Sequence, residues 1–213
     1  MTATERAPII FERLRARYPK TVPALDHHNA WELLVATVLA AQCTDARVNM
    51  VTPKLFARWP GPAELALASQ EDLEEVVRST GFFRNKAKNL IGAAKRVMDA
   101  FGGQVPRTLA ELVTLPGVAR KTANIVLSNS FGVNEGIAVD THVTRLAYRL
   151  ALTDSDDPVK IERDLMPLFP QDQWGEINHL LVYFGRDICD ARKPKCPECE
   201  LSDICPKRGV GKK

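Results

Sequence analysis

The sequence predicts an all-α protein on three observations. Apolar residues recur with helical period in nearly every segment, capping signals stand where several of these stripes begin, and no segment sustains the period-2 alternation of a strand. Trp31, Leu34, Val35, Val38 and Leu39 fall at i, i+3, i+4, i+7 and i+8, one apolar face. Ser69-x-x-Asp72 reads as a capping box ahead of a further helix. Ala87, Leu90, Ile91, Ala94, Met98 and Phe101 form a long stripe closed by Gly102-Gly103, a helix stop. Thr108-x-x-Glu111 repeats the capping box. Two stripes follow, through Ala123, Val126, Leu127 and Ser130 and through Val143, Leu146 and Leu150. Asp157-Pro158 supplies an N-cap and first-turn proline for a weaker pattern, Val159, Glu162, Leu165 and Phe169. Trp174, Ile177, Leu181 and Phe184 complete the set. The predicted connections are short: 18–29, 59–62, 132–139 and 153–157. No internal repeat appears, and Gly209–Lys213 is expected to fray.

A length of 213 residues allows one domain or two compact lobes. With 45% apolar and 26% charged residues, collagen-like, low-complexity and wholly disordered chains are excluded. The longest nearly apolar stretch, Leu33–Ala41, falls far short of the about 20 residues needed to cross a bilayer. The opening Met-Thr-Ala-Thr-Glu-Arg lacks a signal-peptide layout, so a cytoplasmic protein is expected. A net charge of +3 is too small to identify a partner, but the charge is segregated. Arg84, Lys86, Lys88, Lys95 and Arg96 share one stretch without an acid, which fits either a polyanion or a solvated helix face. Five cysteines in a reducing compartment argue against a disulfide scaffold.

Four of those cysteines carry the strongest local signal, Cys189-x6-Cys196-x2-Cys199-x5-Cys205. Four soft thiolates so close can enclose one metal centre, and Pro194, Pro197 and Pro206 favour a loop wrapped on it. Spacing alone leaves zinc and an iron–sulfur cluster both open. Arg192, Lys193 and Lys195 in the first interval can face phosphate. A second signal is the Pro-Gly turn of Leu115-Pro116-Gly117-Val118-Ala119-Arg120, between one capped helix and the start of the next. Free amides and the dipole at that start favour an anion, and glycine lets a phosphate approach the main chain. Such binding ignores base sequence. Lys121, in the first turn, stands in an unfavourable field; with partial burial that field favours the neutral, nucleophilic amine, the alternative being a charged phosphate ligand. Asp140 occupies an N-cap position, where a carboxylate is common for structural reasons and is also held rigid and ionised.

Together, Ala41-Gln42-Cys43-Thr44-Asp45, Leu115–Ala123, Val139-Asp140-Thr141-His142 and the cysteine tail resemble the endonuclease III family of helix-hairpin-helix DNA glycosylases. The resemblance implies a six-helix barrel over 25–134 with the hairpin at about 108–131. It implies a second lobe from 1–24 and 135–213 carrying a [4Fe–4S] cluster on Cys189, Cys196, Cys199 and Cys205, and a DNA cleft. It implies a monomer acting on damaged duplex DNA in the bacterial cytoplasm, at the nucleoid. Its activity would be removal of oxidised or saturated pyrimidines, followed by strand nicking through β-elimination. Lys121 would be the nucleophile and Asp140 the catalytic carboxylate. Leu115, Gly117, Val118, Ala119 and Arg120 would hold the DNA, as would the loop cations, with Gln42 filling the gap left by the extruded nucleotide. Alternatives are a related glycosylase with another target base and a non-catalytic iron–sulfur DNA-binding module.

Three positions depart from the family pattern. Phe82 stands where an apolar wedge is expected beside the estranged base, or else Phe82 and Phe83 are core residues. Ala119 replaces a frequent glycine, which would be strained at positive φ and harmless within a helix. Cys43 replaces an alanine and is expected to be a small buried side chain.

Overall fold

The computed structural model describes residues 1–211; Lys212 and Lys213, part of the terminus expected to fray, lie outside them. Among the described residues there is no strand, and α-helices, short 3-10 turns and one π-helical turn account for all regular structure. No helix is long and apolar enough to cross a membrane. The chain divides into two compact units, Pro23–Glu135 and Met1–Val22 with Gly136–Lys213, each around its own apolar core.

The second unit begins and ends with the chain. Helix α1 (Ala3–Arg17) starts at a capping box: the Thr2 hydroxyl accepts from the Glu5 amide, and the Glu5 carboxylate accepts from the Thr2 amide. Its Ile10, Phe11 and Leu14 are wholly buried, each worth roughly 2 kcal/mol. Arg6, also buried, donates to the carbonyls of Leu150, Ala151, Ile204 and Met1, which fastens the start of the chain to its end.

In the Pro23–Glu135 unit, α2 (Ala30–Leu39) is apolar almost all round, and eight of its ten residues are buried. Asn29 caps it rather than any residue singled out from the sequence. Helices α3 (Asp45–Arg58), α4 (Pro62–Ala66) and α5 (Gln70–Val77) follow. Ser69 caps α5 by accepting from the Asp72 amide, as its motif predicts. The long α6 (Phe83–Phe101) packs with α2, α4 and α5 and ends at Gly102 in the left-handed conformation. Then come α7 (Leu109–Leu112), capped by Thr108, and α8 (Arg120–Val126). The stripe through Ser130 continues beyond α8, but as a π-helical turn over Leu127–Phe131, a widening that periodicity does not announce.

Back in the unit containing α1 lie α9 (Thr141–Arg149), α10 (Pro158–Leu165) and α11 (Trp174–Asp187). Asp157 caps α10 with Pro158 at its first turn, as expected, whereas Phe169 falls beyond the helix. Gly185 lets α11 lie close on α9: a Cβ there would stand 2.8 Å from His142 Nδ1.

Candidate functional site

The α7–α8 turn is built from its apolar ends inward. Leu115 and Val118 are buried, and the Val118 amide donates to the Leu115 carbonyl at 3.1 Å, which closes the turn and keeps both side chains in the core. Gly117 has φ +78°, and a Cβ there would lie 2.9 Å from Asn89 Cβ on α6. Both conformation and space therefore require glycine. Ala119 is neither left-handed nor helical: at φ −87° and ψ 166° it is the extended N-cap of α8, where alanine is unstrained. Its methyl cannot cap, so α8 starts without an N-cap side-chain hydrogen bond. Arg120 and Lys121 extend from that turn, both exposed. The partial burial expected of Lys121 is thus absent, because it sits on the solvent side of a short helix whose opposite face, Ala123 and Val126, supplies the core contacts. The unfavourable helix-terminal field remains.

Asp140 is the N-cap of α9, accepting from the Val143 amide at 2.8 Å, and is half-buried. The run before it is pinned by buried Ile137, Ala138 and Val139 and by the Asn178 amide, which donates to the Ala138 carbonyl at 2.6 Å. The carboxylate is therefore fixed at both sides along the chain.

Gln42 and Phe82 share an unusual backbone state, with φ of 53° and 48°. This left-handed region disfavours a side chain. Both are exposed, Phe82 by 69%. The two phenylalanines separate: Phe82 projects, while Phe83 packs against the core. Cys43 is half-buried against that core rather than fully enclosed. Gln42 and Phe82 border one cavity together with Val38, Ala41, Asn85, Lys86, Asn89 and Gly117. Lys86 does not belong to an exposed basic face, since it is 5% exposed. The signal was present in the periodicity: Lys86 precedes Leu90, Ala93 and Val97 by four, seven and eleven residues, and all three are buried. Asn85 and Asn89 carried no sequence signal.

Cys189, Cys196, Cys199 and Cys205 line a single cavity with apolar walls from Leu150, Phe184 and Ile188. Burial pushes the thiols of Cys199 and Cys205 up, and the neighbouring cysteines add to the rise. Holding all four as thiolates therefore requires strong positive charge among them. Among the described residues no three Cys, His, Asp or Glu side chains are grouped to hold a single metal ion. An all-sulfur donor set around one apolar-walled cavity suits a soft metal centre, zinc or an iron–sulfur cluster. Arg149 braces the site, donating to Cys189 Sγ at 3.3 Å and to the carbonyls of Cys189, Asp190 and Ala191. Asp190 turns the loop by accepting from the Arg192 and Lys193 amides, which hold its carboxyl below the usual range. The side chains of Arg192, Lys193 and Lys195 are exposed, with Lys195 Nζ 4.0 Å from Asp187.

Residues 35–171 match the HhH-GPD superfamily of base excision DNA repair proteins, and residues 189–205 match the iron–sulfur binding domain of endonuclease III. Endonuclease III of Synechocystis sp. is 52% identical over 202 residues, covering 95% of this chain and 92% of that protein. Two solved structures are each 40% identical and cover 97% of both chains. One is a non-covalent endonuclease III–DNA complex, at a TM-score of 0.91. The other is a trapped endonuclease III–DNA covalent intermediate with an estranged adenine, at 0.92.

Proposed function

The chain belongs to the HhH-GPD superfamily of base excision DNA repair proteins, with endonuclease III as its relatives, and from that premise we propose how its own residues perform glycosylase and AP lyase chemistry. The enzyme removes oxidised or saturated pyrimidines from duplex DNA and nicks 3′ of the abasic site. It acts as a monomer at the nucleoid of a bacterial cytoplasm. The observation that carries the assignment of roles is the exposed Lys121 in the first turn of α8, whose N-cap Ala119 has no side chain to bond the helix start. Main-chain amides there bind phosphate without reading sequence, and the damaged nucleotide leaves the stack so that its sugar can be reached.

The Lys121 amine attacks C1′ of the deoxyribose, and the C1′–N bond breaks as the base departs with the bonding pair. Asp140 takes the proton of the attacking amine or stabilises positive charge developing on the sugar. Ring opening gives a Schiff base. Loss of a C2′ proton then expels the 3′ phosphate, and hydrolysis frees Lys121. A glycosylase that activated water instead would form no bond to the protein. Gln42 occupies the gap left in the stack, Phe82 wedges beside it, and Arg120, Arg192, Lys193 and Lys195 engage phosphate. A [4Fe–4S] cluster is the cofactor; Cys189, Cys196, Cys199 and Cys205 would hold it, and it would supply a cross-link for their loop.

Borohydride added during incubation with abasic-site duplex tests this reading. Reduction of the Schiff base leaves a crosslinked species, and Lys121→Ala abolishes it. DNA binding by the wild type without any crosslink makes Lys121 a passive phosphate ligand and overturns the reading.

A further inference from the structure

Lys86 is a buried charge that the chemistry above does not use. Its ammonium donates to the Leu39 carbonyl at 2.8 Å and to the Thr80 carbonyl at 2.7 Å. Leu39 is the last residue of α2, and Thr80 is the last residue of the tight helical turn Arg78–Thr80 after α5. Terminal carbonyls of this kind have no partner within their own helix, and a cation there also complements the helix dipole. One side chain on the first turns of α6 thus closes the ends of two other elements. Three residues past Leu39 the chain reaches Gln42; two past Thr80 it reaches Phe82. Those are the two side-chain-bearing residues in left-handed backbone that border the common cavity. Neither conformation is favourable by itself, so each persists only because its surroundings over-determine it. Thr80 is further fixed by its hydroxyl, which donates to the Val77 carbonyl at 2.8 Å.

We propose that Lys86 is a positioning residue that ties the Gln42 and Phe82 turns into one preset, two-pronged wedge, which sets how the enzyme senses the base opposite the lesion. The inference rests on the glycosylase reading, in which Gln42 and Phe82 enter the gap of a duplex. It goes further in making the two prongs a single unit with one shared fastening. Burial lowers the affinity of the Lys86 amine for its proton. That cost is met by the two carbonyls, which would otherwise be left without a donor.

The test compares holoenzyme variants on an abasic site placed opposite each of the four bases, and on the same strand alone, which has no opposite base to sense. Lys86→Gln removes the charge and shortens the side chain by one atom, which leaves at least one of the two carbonyls without its donor. Loss of one charged hydrogen bond should lower duplex nicking roughly tenfold. The ratio between opposite bases should flatten, with single-strand nicking at the wild-type level. In a Gln42→Ala/Phe82→Ala background the same substitution should change nothing further, because its effect passes through those residues. An additive loss in that background, or equal loss on both substrates, overturns the proposal. If Lys86→Gln fails to fold, backbone relaxation of the wild-type protein decides: Gln42 and Phe82 are as ordered as α2 and α6 before DNA is added, and mobility of either turn overturns it. A wild type that nicks neither substrate defeats the glycosylase reading instead.

Discussion

Asp140 caps a helix, and the catalytic role proposed for it can be tested apart from that cap. Its bond to the Val143 amide needs only an oxygen acceptor, and asparagine caps as well as aspartate. Charge stabilisation at a sugar needs the negative charge. Asp140→Asn is therefore expected to keep the melting temperature and duplex affinity while slowing base release by roughly 100-fold or more, the scale of a lost general base. Single-turnover release of free base beside thermal melting checks this, and unchanged release removes Asp140 from the reaction. Lys121 differs in kind. Its solvent-facing position means that no local burial prepares it, so the nucleophilic role proposed for it would have to draw on the helix start and on bound substrate. The roles of Gly117 and Ala119 divide on geometry: the first is fixed by a positive φ and by Asn89, whereas the second tolerates any side chain that an extended N-cap can carry.

Among the elements, α1 shows how a chain start becomes part of a distant core. Arg6 supplies donors to four carbonyls within the fold, and Arg6→Met leaves them unpaired while keeping most of the packing volume. A loss of about 3 kcal/mol is expected, read as a lower denaturant midpoint. The outer turns of α1 are held differently, by Arg13 on Asp203 and by Arg17 and Tyr18 on Asp187. Those hydrogen bonds hold both carboxyls below their ordinary range. A carboxyl with a depressed folded value contributes stability above its unfolded pKa of about 4 and loses it as pH falls through the folded value. Acidification below about pH 4 should therefore weaken α1 docking, and less so in Asp187→Asn; equal acid sensitivity in both excludes these contacts as the cause. Helices such as α2, α6, α10 and α11 were legible in the sequence because their stripes and stops are local. So were the Asp140 cap, the hairpin turn and the four cysteines. The left-handed turns at Gln42 and Phe82 were not, since nothing local demands them and their support comes from Lys86 on another helix. Lys86 itself was masked by residue type: a lysine among lysines reads as surface unless its helical phase is followed into the core.

The whole molecule carries a net charge of only +3, so recognition of a polyanion depends on where its cations are held. Three of them, Arg192, Lys193 and Lys195, are exposed on a loop with little regular structure, braced by Asp190, by Arg149 and, on the proposed ligation, by the cluster that its four cysteines would hold. The Pro23–Glu135 core contains none of these ligands and has its own buried set, including Leu33, Leu39, Leu55 and Leu90. Removing the cluster by oxidation and chelation should therefore act unevenly. Amide exchange should rise across 189–206 and at the end of α11 while the amides of α2 and α6 stay protected, because local opening follows local support. DNA affinity should fall in step, with the slope of log K against log salt decreasing by about 0.9 for each phosphate contact the loosened cations no longer make. Lys193→Ala in the holoenzyme should reproduce one such step without any change in exchange. Uniform loss of protection would mean that the cluster supports both cores alike, and an unchanged salt slope would remove the cysteine loop from the DNA contact altogether.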